Sequence, residues 1–259
     1  MYFGFKNISI KFGSRQIIDD VTIDFKKGKI TSIIGKNGCG KSSMLKVISK
    51  AVHPECGEII FNDINLRLFQ QKEVAKRIAI LPQIHDVQPA VEVRTLVSYG
   101  RYPHINKFRG LTPEDGRIVD DVIERMGLTP YRFRMLNTLS GGERQRAWIA
   151  MTLCQQPEIL ILDEPTTFLD INNQIEILEI IKELNIQLGL TIILVLHDIN
   201  LSVKYSDYIC AIKDKKVYAY TESDNIIDKK VLSDVFSIDS DIYTDERSGC
   251  PFFIAQKQI

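Results

Sequence analysis

Leu139-Ser140-Gly141-Gly142-Glu143 opens the run LSGGERQRAWIAM, which ends at Met151, and reads as a polar glycine turn leading directly into a helix. Free N–H groups at such a helix start, with the Ser140 hydroxyl beside them, suit a phosphate. Ordinary capping explains one serine, but not two glycines and the Arg144-Gln145-Arg146 run that follows. The stretch lies between a second glycine-rich loop, GKNGCGKSS (Gly35 to Ser43), and an acidic strand end, ILILDEP (Ile159 to Pro165). One nucleotide cannot easily use both glycine turns of a single chain. The pair therefore implies a nucleotide held between two copies.

The first loop has the context that makes a phosphate site credible. The β-branched run Ile30 to Ile34 enters it, and Ser42 to Lys50 reads as the helix that leaves it. Gly35, Gly38 and Gly40 let the backbone curl so that its N–H groups, those of Asn37, Cys39 and Ser43 included, face phosphate oxygens. Lys41 supplies a point charge to the β- and γ-phosphates, and Ser42 offers a hydroxyl to Mg²⁺. Cys39 contributes a small side chain whose N–H matters, and alkylating it is expected to block nucleotide binding.

Asp163 ends an apolar strand and Glu164 follows it. A carboxylate there can hold Mg²⁺, and the next can orient or deprotonate an attacking water. Gln83, after the short apolar run ending ILPQ, offers an amide to the same metal and water. His197 ends the strand in LVLHD, at the sheet edge where ligands of such sheets bind, and is expected to contact the γ-phosphate.

Composition sets the frame. The chain has 259 residues, 44% hydrophobic, with 33 basic and 33 acidic side chains. No basic excess favours nucleic acid, and no apolar run reaches the roughly 20 residues of a membrane span. The five cysteines show no CxxC spacing and read as free thiols of a reducing compartment. Alternation over residues 2–12, at Val21, Ile23 and Phe25, and over Glu58 to Phe61 suggests an N-terminal antiparallel sheet. Ile159–Leu162, a helix over Ile171–Leu188 with Ile175, Leu178, Ile181 and Leu184 on one face, and Thr191–Leu196 form a strand–helix–strand unit, hence a parallel sheet. Helices near Val91–Gly100, Pro113–Met126 and Glu143–Cys154 look like a helical insertion, about 84–156. Beyond residue 207 the chain reads as a hairpin over Tyr208–Tyr220, a helix near Lys229–Phe236 and a last strand pair.

The order Gly35–Ser43, Gln83, Leu139–Glu143, Ile159–Glu164, Asp170, His197 resembles the ATP-binding cassette (ABC) ATPases over nearly the whole chain. The resemblance implies an α/β P-loop NTPase: one ABC ATPase domain over 1–259, with a parallel core sheet, an antiparallel β-subdomain, the inserted helical subdomain and a C-terminal extension over about 207–259. It implies Phe12 on adenine, Gly35–Ser43 as the Walker A loop, and Gln83 as the Q-loop glutamine. Ser140, Gly141 and Gly142 would form the signature that binds the opposite subunit's ATP. Glu164 would be the catalytic glutamate, Asp170 the D-loop aspartate and His197 the switch histidine. Two departures stand out: Glu143 where glutamine is commoner, and Phe168 where a small residue is usual.

ILPQ followed by VEVRTLVSYGRYPH (Val91 to His104), LDINNQIEILEII and VLHDIN resemble cassettes of importers for ferric siderophores, haem and cobalamin, the siderophore branch most closely. That implies ATP and Mg²⁺, a homodimer on integral-membrane permease subunits, an indirect substrate-binding lipoprotein, no nucleic acid, and a peripheral place on the cytoplasmic face of the membrane. The rivals are a cassette for haem, cobalamin or another cargo, an exporter, a cassette ATPase acting on DNA or ribosomes, and a small-molecule kinase.

Overall fold

The structure, a computed structural model, describes residues 1–83, 91–105 and 110–259. In chain order the elements are β1 (Phe3–Phe12), β2 (Arg15–Phe25), β3 (Ile30–Gly35), α1 (Lys41–Ile48), β4 (Cys56–Phe61), β5 (Ile64–Asn65), α2 (Gln71–Arg77), β6 (Ile78–Leu81), α3 (Val93–Tyr99), α4 (Pro113–Arg125) and α5 (Gly141–Leu153). Then come β7 (Ile159–Asp163), α6 (Ile171–Leu188), β8 (Thr191–Val195), α7 (Ile199–Tyr205), β9 (Tyr208–Lys213), β10 (Lys216–Glu222), α8 (Lys229–Val231), β11 (Ile238–Thr244) and β12 (Pro251–Gln258). They fall into two compact units: Met1–Leu68 with Thr191–Ile259, and Phe69–Leu190. The expected start of the helical insertion, about residue 84, lies outside the described residues.

In the first unit the alternating segments form an antiparallel sheet in the order β2-β1-β4-β5. Phe3, Phe5, Ile8 and Ile10 of β1 are fully buried, and Phe3 stacks on Phe25 of β2 with centroids 5.8 Å apart. β3 runs parallel to both β8 and β9, Ile33 lying opposite Val195 on one side and Cys210 on the other. Every residue of β3 and β8 is buried. That is why these runs are continuously apolar rather than alternating: a parallel strand is covered on both faces. The tail gives the expected hairpin β9–β10, a helical turn at Lys229–Val231 continued by a π turn over Leu232–Phe236, and the pair β11–β12.

In the second unit β6 pairs in parallel with β7, from Ile78 opposite Ile159 to Leu81 opposite Leu162. The three expected helices appear as α3, α4 and α5. Thr112 and Asp115 close a capping box at the start of α4. Asp115 also pairs with Arg101 at 2.8 Å, and Arg101 Nη1 donates to the Cys154 carbonyl at 2.9 Å and to Gln156 Oε1 at 3.0 Å. Arg101 is only 4% exposed and Asp115 7%, so this is an ion pair inside the unit.

One expectation is overturned. Helix α6 spans Ile171–Leu188 as read, but its buried stripe is Ile177, Leu178, Ile181 and Leu184, while Ile175 is 37% exposed. A spacing of three drifts by about 60° per step at 3.6 residues per turn. Three such steps separate Ile175 from Leu184, so the two lie on opposite sides of the helix, and only Leu184 faces the core.

Candidate active site

The first unit carries Phe12, the loop Gly35–Ser43 and His197. The loop leaves β3 at Gly35 and enters α1 at Lys41, with Gly38 at φ +76° and Gly40 at φ +109°. These angles favour glycine. Space demands it as well: a Cβ on Gly35 would lie 2.6 Å from the Ile212 carbonyl oxygen, and one on Gly40 2.6 Å from Ile18 Cδ1. No side chain caps α1. Lys41 is 5% exposed, and its Nζ donates to the carbonyls of Gly35 at 2.7 Å and Lys36 at 3.1 Å. The ammonium is thus folded across the loop against neutral acceptors, where a phosphate oxygen would be a stronger partner. Cys39 is half-buried, its Sγ 3.9 Å from Lys41 Nζ. Phe12, 47% exposed, ends β1 opposite Arg15. His197 is exposed just beyond β8.

The second unit carries Gln83, Ser140–Gly142, Asp163, Glu164 and Asp170. Strand β7 is buried throughout and delivers the Asp163 carboxylate, 7% exposed, at its end. Glu164 follows at φ +53°. That left-handed conformation is costly for a residue with a Cβ, and such residues gather at functional sites. Gln83 Nε2 donates to Glu164 Oε2, and Thr167 Oγ1 donates to the same oxygen at 3.1 Å. The structure so brings Gln83 and Glu164 together across 81 residues of sequence. Thr167 was visible in the sequence only as part of the Pro165-Thr166-Thr167 context.

The glycine turn at Ser140–Gly142 and the start of α6 form a second cluster. Helix α5 begins at Gly141, not after the glycines, with a capping box between Ser140 and Glu143: Glu143 N–H donates to Ser140 Oγ at 3.3 Å, and Ser140 N–H to Glu143 Oε2 at 2.8 Å. Capping and phosphate binding do not exclude each other, because a hydroxyl that accepts one bond can still donate another. The Tyr131 hydroxyl and the Ser140 amide hold the Glu143 carboxyl below its usual range. Glu143 thus has a definite task, holding the start of α5. Asp170 caps α6, accepting the Asn173 N–H at 2.9 Å and Asn173 Nδ2 at 2.7 Å. Those bonds, the backbone one foremost, depress its pKa. Asn173, which sequence reasoning missed, also abuts the glycine turn: a Cβ on Gly142 would lie 2.2 Å from Asn173 Oδ1. Phe168 is 96% exposed at φ +65°.

Among the described residues no group of three or more His, Cys, Asp or Glu could hold a metal by itself. The candidates Ser42, Gln83 and Asp163 offer a hydroxyl, an amide oxygen and a carboxylate. An all-oxygen set with one carboxylate fits Mg²⁺, which takes its remaining ligands from water and nucleotide phosphates. Also among the described residues, no helix is long and apolar enough to cross a membrane.

The ABC transporter family profile matches residues 18–167. The chain is 42% identical to the iron(3+)-hydroxamate import ATP-binding protein of Bacillus subtilis over 95% of this chain and 91% of that one. It is 40% identical to a petrobactin import ATP-binding protein of Bacillus anthracis over 96% of this chain and 91% of that one. Among solved structures it is similar to the dimeric, post-hydrolysis state of an ATP-binding cassette bound to ADP and Pi, with TM-score 0.72 and 28% identity over 85% of this chain and 98% of the other. The fold is that of a P-loop NTPase cassette, and the chain belongs to the ABC transporter family.

Proposed function

We propose that this chain is the ATP-hydrolysing subunit of an importer for ferric siderophores, working as a homodimer on integral-membrane permease subunits at the cytoplasmic face of the membrane. The observation that carries the catalytic half is the Gln83–Glu164–Thr167 cluster at the end of a buried strand. The cargo is supported by relatives named for hydroxamate and petrobactin import that match nearly the whole chain. A substrate-binding lipoprotein hands the chelate to the permease, and no nucleic acid takes part. Residues 1–259 act as one ABC ATPase domain, with the helical insertion at about 84–156 and the C-terminal extension at about 207–259.

Each residue then has a task. Phe12 stacks on adenine. The N–H groups of Gly35, Asn37, Gly38, Cys39, Gly40 and Ser43 cradle the phosphates, and Lys41 swings from the loop carbonyls to phosphate oxygens. Ser42, Asp163 and Gln83 hold Mg²⁺, which when bound offsets phosphate charge. Glu164, anchored by Gln83 and Thr167, orients the attacking water and accepts its proton. His197 donates to the γ-phosphate.

Ser140, Gly141 and Gly142 of one copy bind the γ-phosphate of ATP on the other, and Asp170 keeps the neighbouring turn in place. ATP is then a ligand of higher affinity for the closed pair. Driving such a two-state switch almost completely takes roughly 5.5 kcal/mol of differential binding. Contacts that exist only in the closed state are the source of that difference. Closure moves the helical insertion and pushes the permease, and hydrolysis reopens the pair.

Glu164→Gln tests the catalytic half: ATP should bind, turnover should nearly stop and closed dimers should accumulate. Hydrolysis at the wild-type rate would remove Glu164 from its role. Uptake of radiolabelled chelates in a deletion strain tests the cargo, with ferric siderophore uptake expected to fail. Loss of haem or cobalamin uptake alone would contradict it.

A further inference from the structure

The helix that follows His197 is held at its start by the far end of the chain. Asp198 caps α7, accepting the Leu201 N–H at 2.9 Å, and Ser202 Oγ donates back to the Asp198 carbonyl at 2.7 Å. Inside the first turn, Asn200 Nδ2 donates to the Phe253 carbonyl and Asn200 Oδ1 accepts the Phe253 N–H, both at 3.1 Å. In an antiparallel pair a residue's N–H and C=O point to the same side. Phe253 therefore gives both groups to Asn200 and neither to β11, where Ile242 lies opposite it. The asparagine amide acts as a one-residue strand partner for the outer edge of β12.

Packing repeats the tie. Ile199 and Val203 of α7 lie in a buried apolar cluster with Ile34 of β3, and Phe236, Ile242 and Phe253 pack against it. A further bond reaches the phosphate loop, where Lys36 Nζ donates to Ser237 Oγ at 2.8 Å. Asparagine is a weak helix former, so Asn200 is not placed for the benefit of a seven-residue helix alone.

We propose that β12 braces the hydrolytic site through Asn200, a positioning residue that fixes the start of α7 and so aims His197. This rests on the reading of His197 as a γ-phosphate contact. The brace acts on the chemical step and leaves nucleotide binding alone, since small misplacements of an aligned group are felt in rate.

The test is steady-state ATP hydrolysis by the full chain. Asn200→Ala and Asn200→Asp (which keeps the acceptor and loses the donor) should each lower kcat about tenfold, with KM for ATP unchanged. In a His197→Ala background, Asn200→Ala should cost nothing more. Hydrogen exchange locates the break: the Phe253 amide of folded Asn200→Ala should lose protection. Wild-type kcat with that protection lost would overturn the brace, and so would a further tenfold loss in the His197→Ala background. Wild-type turnover by His197→Ala alone is a separate result: it would remove the role of His197, and the brace with it.

Discussion

Gly142→Ala tests the glycine turn at Ser140–Gly142, the turn proposed to meet the partner's ATP. The added methyl would sit 2.2 Å from Asn173 Oδ1 and 2.7 Å from Asn173 Cγ, so the Asn173 side chain must rotate away. Rotation breaks the 2.7 Å bond from Asn173 Nδ2 to Asp170. At this exposed carboxylate water takes over the lost bond, so the loss is small. Replacing a helical glycine by alanine returns about 0.5–1 kcal/mol. The net change stays within about 1 kcal/mol, so thermal midpoints should differ by less than about 4 °C. Pairing should not survive, because the inward methyl displaces Asn173 and the Asp170 turn it holds, beside the residues proposed to meet the partner's γ-phosphate. In a Glu164→Gln background, which should otherwise trap ATP-bound dimers, size-exclusion chromatography with ATP should show only single chains. Adding Asn173→Ala relieves the internal clash, and pairing should still fail. ATP-dependent dimers of the Gly142→Ala, Glu164→Gln chain, as abundant as those of Glu164→Gln, would refute the reasoning.

Three further outcomes follow from particular side chains. The Asp115 carboxyl lies in a buried setting that by itself favours the neutral acid, but bonds from Thr112 and the Arg101 guanidinium outweigh this and hold its pKa down to about 2 against a reference of 3.8. A depressed folded pKa contributes stability above the unfolded value that is lost as pH falls from about 4 through about 2. Asp115→Asn, which removes the only carboxylate bonded to the buried Arg101 among the described residues, should therefore cost about 3 kcal/mol in urea unfolding at pH 7 and much less near pH 2.5. Maleimide labelling should find Cys39 ahead of Cys154 and Cys210, whose thiols burial pushes up, Cys154 to about 12; in a Cys56→Ser, Cys250→Ser chain it should abolish ATP binding, and full affinity after stoichiometric labelling would contradict the loop's role. Phe168→Gly relieves a left-handed residue with no packing to lose and should raise single-chain stability by about 1 kcal/mol while weakening ATP-driven pairing; a fall in the denaturation midpoint would contradict it.

Much of this was legible in the residues because the relevant signals are local. A β-branched run ending in a glycine loop, or in Asp-Glu, states both its strand and the chemistry at its end. The buried strands β3, β7 and β8 therefore matched their readings to within a residue or so. What stayed hidden is what depends on partners distant in sequence. Nothing near Gln83 says that its amide will bond Glu164, and nothing near Asn200 names Phe253. Asn173 looked like an ordinary helix residue, though its side chain fills the space that Gly142 leaves. Ile175 misleads because a spacing of three resembles helical periodicity over one step and fails over three. Ser140 does cap its helix, in the box with Glu143, and a cap is the one role of that serine that its own neighbours can display.

The most direct measurement is the ATPase rate per chain as the protein is diluted, with sedimentation recording the oligomeric state at each concentration. If every pocket needs a neighbour's signature turn, the rate per chain should fall toward zero as paired molecules disappear. A constant rate per chain in samples that sediment only as monomers would contradict that claim.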